Sequence, residues 1–230
     1  MEQLRMQWIF RYQLFLFDLD GLLVNTEEQH FQAYKIMLER RGFTLPWDFM
    51  TYFRIAQTDA DAPRRYVYAE FPELFKKESR WDVLYSEKKK AYLELLEATP
   101  APLMPGASRL LLALASANIK RCVVTHSHAS LVQALKRQNA VLDTIPMWFT
   151  REDYKEPKPA PDGYLKAIST LALPEDNVIG FEDSSRGMRA LLQTRSLSVL
   201  VNAIDEPTRL QFKEQGYPTF KTLDEVIDTF

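Results

Sequence analysis

Between Leu14 and Glu28 the chain reads LFLFDLDGLLVNTEE, and this stretch narrows the available folds more than any other. A Phe- and Leu-rich run ends at Asp18, then come Leu19, Asp20 and Gly21, and a polar helix start follows at Asn25 and Thr26. An apolar run that stops abruptly at acids and a glycine predicts a buried strand whose carboxyl end opens into a site. Alternation along an extended chain sets Asp18 and Asp20 on one side and Leu19 on the other. Two carboxylates so placed can hold a divalent cation, or divide nucleophile and acid/base roles between them. The plain alternative is an acidic turn closing a strand.

A chain of 230 residues with 46% hydrophobic and 12% aromatic content can bury a sizeable core, as one large domain or a core with an insertion. Twenty-nine Lys and Arg stand against 31 Asp and Glu, a net charge of −2, which disfavours nucleic acid as a partner. The single cysteine, Cys122, excludes an internal disulfide and suits a reducing compartment; within an apolar run it reads as a small buried hydrophobe. The opening MEQLRMQWIFRYQ has neither a sustained apolar core nor a small-residue cleavage site. The expectation is a cytoplasmic, monomeric enzyme with no membrane partner.

Further along, the period changes. Phe31, Tyr34, Met37 and Leu38 recur at helical spacing, and Gly42 supplies a stop after Arg40 and Arg41. From Leu45 to about Thr99 the sequence stays helical and charged, with Pro46, Pro63 and Pro72 at turns or first turns. This predicts a separate helical lobe, closed by the proline-rich hinge TPAPLMPG at Thr99 to Gly106. After it, strands at Ile119–Thr125, Thr144–Phe149, Asn177–Phe181 and Leu197–Val201 alternate with helices. With the first strand at Tyr12–Phe17, that order predicts an α/β fold: a doubly wound, Rossmann-like parallel sheet with its site at the carboxyl ends of the strands.

If so, four strand ends converge. The first carries Asp18 and Asp20. The second carries Thr125, His126 and Ser127, able to bind a phosphate oxygen or simply to cap a helix. The third leads to EPKPAPD, where flanking prolines stiffen the loop around Lys158; that ammonium can neutralise an anionic substrate, or be a solvated loop lysine. The fourth is FEDSSRG, whose Glu182 and Asp183 suit a hard cation such as Mg²⁺, or an acidic helix start.

Taken together, DLDGLLVNTEEQH, the strand ending in Thr125, KPAPDGY and GFEDSSRGMRA resemble the four motifs of the haloacid dehalogenase superfamily. The likeness is to the branch of β-phosphoglucomutase and small-molecule phosphatases with a helical cap. It implies a catalytic core at 1–25 and 103–230 and a cap with hinge segments at 26–102. It also implies Asp18 as the nucleophile forming an aspartyl-phosphate, Asp20 as general acid/base, and Thr125 and Lys158 as holders of the phosphoryl group. Mg²⁺ would bind Asp18, the backbone carbonyl of Asp20 and Asp183, with Glu182 direct or through water. Dehalogenases of the superfamily lack an acid at the place of Asp20, so dehalogenation is not expected.

His30 matches a histidine of the same branch, as a substrate-side or hinge hydrogen bond or as a structural side chain, and Lys88 lies near a cap lysine but in a run that reads as a solvated helix face. Arg54 is a candidate anion contact weighed against a surface arginine, and His126 joins it among the substrate-binding candidates. Departures from the family pattern are Asn25 in place of aspartate, still able to cap its helix, Pro157 before Lys158, and a cap loop RIAQTDADAPRR after Phe53 without the expected glycine. The resulting expectation is a Mg²⁺-dependent phosphatase of small organic phosphate monoesters acting on a small phosphorylated metabolite. The alternatives are a β-phosphoglucomutase-type mutase and a non-catalytic binding protein.

Overall fold

The computed structural model describes residues 6–59 and 61–230, which fall into two compact units: residues up to Asn25 together with Pro102–Phe230, and Thr26–Ala101. Residues 1–5 of the N-terminal stretch and Ala60 of the RIAQTDADAPRR segment lie outside the described residues.

The first unit is built on strand β1, Leu14–Phe17, all four residues of which are buried. Burial on both faces is what a continuous apolar run demands, and a parallel sheet with helices on each side supplies it. Five further strands join it: β2 (Lys120–Val124), β3 (Met147–Phe149), β4 (Val178–Glu182), β5 (Leu197–Val201) and β6 (Thr219–Phe220). They run in the order β3-β2-β1-β4-β5-β6, each neighbouring pair parallel. The two-residue β6 was not foreseen, because Thr219–Phe220 is too short to show a period. β3 is also shorter than expected, since Ala140–Thr144 forms a 3₁₀ turn before it.

β1 is central, with Leu14 beside Lys120 on one flank and beside Val178 on the other. Its odd and even residues face different layers. Phe15 and Phe17 stack with Phe181 at centroid distances of 6.2 and 5.3 Å, while Leu14 and Leu16 join Cys122, Val124, Phe149, Tyr164 and Val178. Trp8, in a 3₁₀ turn at Gln7–Arg11, packs on Phe15 and Phe230 and is 2% exposed. Because the strand order reverses about β1, its carboxyl end lies where open α/β sheets place their ligands.

The second unit is helical: α1 (Glu27–Arg40), α2 (Phe49–Thr58), α3 (Ala62–Glu70), α4 (Pro72–Lys77) and α5 (Trp81–Ala98). Gly42, at φ +83°, takes the left-handed conformation that ends α1, and Phe43 N–H returns to Leu38 O at 3.0 Å. Pro63 and Pro72 sit in first turns, where a missing N–H costs nothing. Phe31, Tyr34, Met37 and Leu38 share a core with Tyr52, Val67, Leu74 and Leu84.

Three sequence expectations need correction here. The RIAQTDADAPRR segment is mostly helix, belonging to α2 and α3, and α2 begins upstream at Asp48, which accepts from Thr51 N–H at 2.7 Å. Asn25 does not cap α1; Thr26 holds that position, and Asn25 N–H donates to Pro102 O at 2.8 Å. Lys88 is not on a solvated face. It is 4% exposed, its ammonium lies 5.2–5.9 Å from the ring centres of Tyr34, Tyr85 and Tyr92, and it is 2.6 Å from His30 Nδ1. The aromatic rings make burial of that ammonium tolerable, and spacing within KKK gave no sign of which lysine turned inward.

In the first unit, α6 (Ala107–Ser116), α7 (Ala129–Gln138), α8 (Asp162–Leu171), α9 (Ser185–Leu191), α10 (Glu206–Glu214) and α11 (Leu223–Thr229) complete the layers about the sheet. Among the described residues no helix is long and apolar enough to cross a membrane.

Candidate active site

Asp18 follows β1 directly, held in register by its N–H on Phe181 O at 3.1 Å, and is 7% exposed. Lys158 Nζ donates to Asp18 Oδ1, to Val124 O at 2.9 Å, and pairs with Glu182 Oε1 at 2.6 Å. The loop lysine is therefore not solvated; it is 4% exposed. The peptide bond between Lys158 and Pro159 is cis.

Glu182, the last residue of β4, is fully enclosed, and Asp183 beyond it is 5% exposed. One ligand atom from each of Asp18, Glu182 and Asp183 lies within 4.8 Å of the others. Ser184 caps α9 by accepting from Gly187 N–H at 2.9 Å. Gly187 has no room for a side chain, because an added Cβ would lie 2.0 Å from Glu182 Cδ.

Asp20 belongs to a separate network. Its Oδ2 accepts from Ser127 Oγ at 2.7 Å and from Thr125 Oγ1 at 3.3 Å, while Thr125 Oγ1 accepts from Ser127 N–H at 2.9 Å. Neither hydroxyl caps α7, whose N-cap residue is His128. His128 Nδ1 lies 2.6 Å from Glu152, whose other oxygen receives Ala129 N–H at 3.2 Å.

Electrostatics follow from burial. Desolvation pushes the Asp18 carboxyl up to about 7, with Lys158 opposing and Glu182 and Asp20 adding to the rise. Burial works against charge on Lys158, yet Asp18 and Glu182 hold its pKa above the ordinary lysine value. His126 is driven down to about 3 by burial and by Arg186, Arg151 and Lys158, so its imidazole is neutral at pH 7.

Lys158 lies against Asp18 and Glu182, and Asp183 adds a third buried carboxylate to the cluster. Three carboxylates that offer oxygen donors in one small buried cluster fit a hard divalent cation such as Mg²⁺.

The first unit thus brings together Asp18, Asp20, Thr125, Lys158, Glu182 and Asp183. His30 and Arg54 belong to the helical unit: His30 stacks on Tyr92 at 4.2 Å, and Arg54 is exposed on α2. Sequence reading missed two contributors, Tyr164 and Asn202, and named Ser127 without its bond to Asp20. Tyr164 donates its hydroxyl to Glu182 Oε1, and Ser127 anchors Asp20. Asn202 Nδ2 donates to Asp183 O at 2.6 Å. Asn202 directly follows β5, so the strand-end rule that found the others points to it as well.

A family model for haloacid dehalogenase-like hydrolases matches residues 12–193. The chain belongs to that family. A probable pseudouridine-5'-phosphatase of Drosophila melanogaster is 29% identical, over 86% of this chain and 84% of its own. A β-phosphoglucomutase of Bacillus subtilis is 23% identical over 76% of this chain and 77% of its own. Among solved structures, CbbY from Rhodobacter sphaeroides in complex with phosphate superposes with a TM-score of 0.75 at 22% identity. It covers 94% of this chain and 96% of that one, a likeness of fold.

Proposed function

We propose that this hydrolase acts on small organic phosphate monoesters, with Mg²⁺, through an aspartyl-phosphate on Asp18. The observation that carries this reading is the Lys158 ammonium, seated between Asp18 and Glu182 at the carboxyl ends of β1 and β4. Phosphoryl transfer is mostly positioning and charge neutralisation, and a buried ammonium on a carboxylate nucleophile serves both.

Asp18 attacks phosphorus, and the bond to the leaving oxygen breaks as Asp20 donates it a proton. Asp20 then takes a proton from water, which attacks the phosphoryl group, releases inorganic phosphate and frees Asp18. Ser127 and Thr125 hold one oxygen of Asp20 and so fix the carboxyl for both transfers. Asp18, Asp183 and the Asp20 carbonyl would hold Mg²⁺, with Glu182 beside them, and the cation would offset charge on the phosphoryl oxygens. Thr125 and His126 line the loop that would receive those oxygens, with the neutral imidazole able to donate or accept. The helical unit is read as the cap of residues 26–102, carrying His30 and Arg54 as substrate-side candidates.

The relative named as a probable pseudouridine-5'-phosphatase supports a small phosphorylated metabolite as substrate. The β-phosphoglucomutase relative supports a second reading, in which the phosphoryl group returns to another hydroxyl instead of water. A panel of sugar phosphates, nucleotides and p-nitrophenyl phosphate, with Mg²⁺ or EDTA, separates the two. Metal-dependent phosphate release that disappears in Asp18→Asn supports the phosphatase, and isomerised product without release establishes the mutase. No turnover by wild type would remove both.

A further inference from the structure

We propose that Tyr164 is a positioning residue that commits Glu182 to Lys158 and keeps it out of the cation's coordination shell; this rests on the phosphatase reading of the site. Glu182 lies close enough to Asp18 and Asp183 to share a metal with them. Its oxygens, however, are already engaged. Oε1 accepts from the Tyr164 hydroxyl and from Lys158 at 2.6 Å, and Oε2 faces Asp183 N–H at 3.3 Å and Ser184 Oγ at 3.4 Å. A carboxylate has about four acceptor sites, and donors from α8, the turn after β4 and the lysine loop point at all of them.

Access agrees with occupancy. Glu182 is fully enclosed and packs on the bare backbone of Gly187, whereas Asp18 and Asp183 keep 7% and 5% exposure. Mg²⁺ usually retains several waters and takes one or two carboxylates. Asp18 and Asp183 meet that need at the accessible edge of the cluster, with Glu182 behind them. Tyr164 also presents its ring to Lys158, whose Nζ lies 4.9 Å from the ring centre. One side chain therefore contacts both members of the Lys158–Glu182 pair from the same side.

Without the hydroxyl, Glu182 Oε1 has Lys158 as its remaining donor, and the ammonium follows the carboxylate away from Asp18. The consequence is a fall in the chemical step with little change in cation or substrate binding. Partners of this outer kind typically cost about 10–100-fold when removed.

The test compares wild type, Tyr164→Phe and Asp183→Asn in Mn²⁺ binding, read as loss of the free-ion EPR signal, and in kcat and KM for p-nitrophenyl phosphate. Tyr164→Phe is expected to keep the Mn²⁺ affinity within about threefold and the KM unchanged, while kcat falls at least about tenfold. Asp183→Asn is expected to weaken Mn²⁺ at least about tenfold. If Tyr164→Phe weakens Mn²⁺ as much as Asp183→Asn, Glu182 is a ligand and the proposal is overturned; an unchanged kcat also overturns it. A wild type that binds no Mn²⁺ sinks the underlying metal reading instead. Should wild type bind the ion but turn over nothing, the Mn²⁺ comparison alone decides.

Discussion

The ammonium of Lys158 rests on Oδ1 of Asp18, although the two residues stand 140 positions apart in the chain. Both are nearly buried, and the same ammonium serves Glu182. Removing it strands two carboxylates in a desolvated pocket. Lys158→Met is expected to abolish phosphate release and to destabilise the fold by about 3–5 kcal/mol, the usual cost of breaking a buried pair from one side. Urea denaturation checks the second part; a loss below about 1 kcal/mol would show that the pocket readily admits water.

Acid–base linkage gives a second prediction. The Asp18 carboxyl is raised to about 7 in the folded chain, above its value when unfolded, so the folded form binds the proton more tightly. Its contribution is full below the unfolded pKa, near 4, and is lost as pH rises through about 7. Protein stripped with EDTA should therefore lose thermal stability between pH 5 and pH 8 through this group. Asp18→Asn should flatten that slope, and saturating Mg²⁺ should reverse it. A stripped wild type with the same slope as Asp18→Asn would contradict the assignment.

His126 behaves in the opposite sense. Its pKa falls to about 3 on folding, so unfolding takes up a proton below the unfolded value near 6.5. Stability from this residue is present at neutral pH and lost as pH drops from there towards 3. Nitrogen-15 NMR of the imidazole should show a neutral ring in native protein at pH 5; a charged ring at that pH would refute the burial argument.

Gly187 is one of the places where the fold admits no Cβ. In Gly187→Ala the new methyl would overlap the Glu182 carboxyl, forcing it off Lys158 and Tyr164. Overpacking of this kind costs about 1–3 kcal/mol, and phosphate release should fall with it. Thermal melting and the phosphate assay measure the two effects; wild-type values in both would mean that the carboxylate has an alternative seat.

Cys122 offers a check on the core. Its thiol is fully buried in β2 and burial pushes its pKa upward, so the reactive thiolate is suppressed. The native protein should resist a thiol reagent such as 5,5'-dithiobis(2-nitrobenzoic acid) and react in denaturant. Rapid labelling of the native chain would show that the sheet opens locally.

The alternation of apolar runs with helical periods determined the parallel sheet, because residues in a two-sided sheet must be apolar throughout and leave a legible mark. Asp18, Asp20, Thr125, Lys158, Glu182 and Asp183 were legible for the same reason, each standing at or beyond a strand end or in the loop that follows one. Periodicity carries no information on which face of a charged helix turns inward, so Lys88 read as solvated until its three tyrosines were in place. Nor does it tell which hydroxyl meets which carboxylate. Ser127 and Thr125 resembled helix caps, and Tyr164 drew no reading of its own, yet each donates to an acid at or just past the end of a strand elsewhere in the chain. The sequence alone determined which acids gather at the sheet's edge, since local pattern fixes strands and their ends. Only the tertiary structure decided how those acids divide their partners, because the donors come from distant segments and their geometry exists only once the sheet has formed.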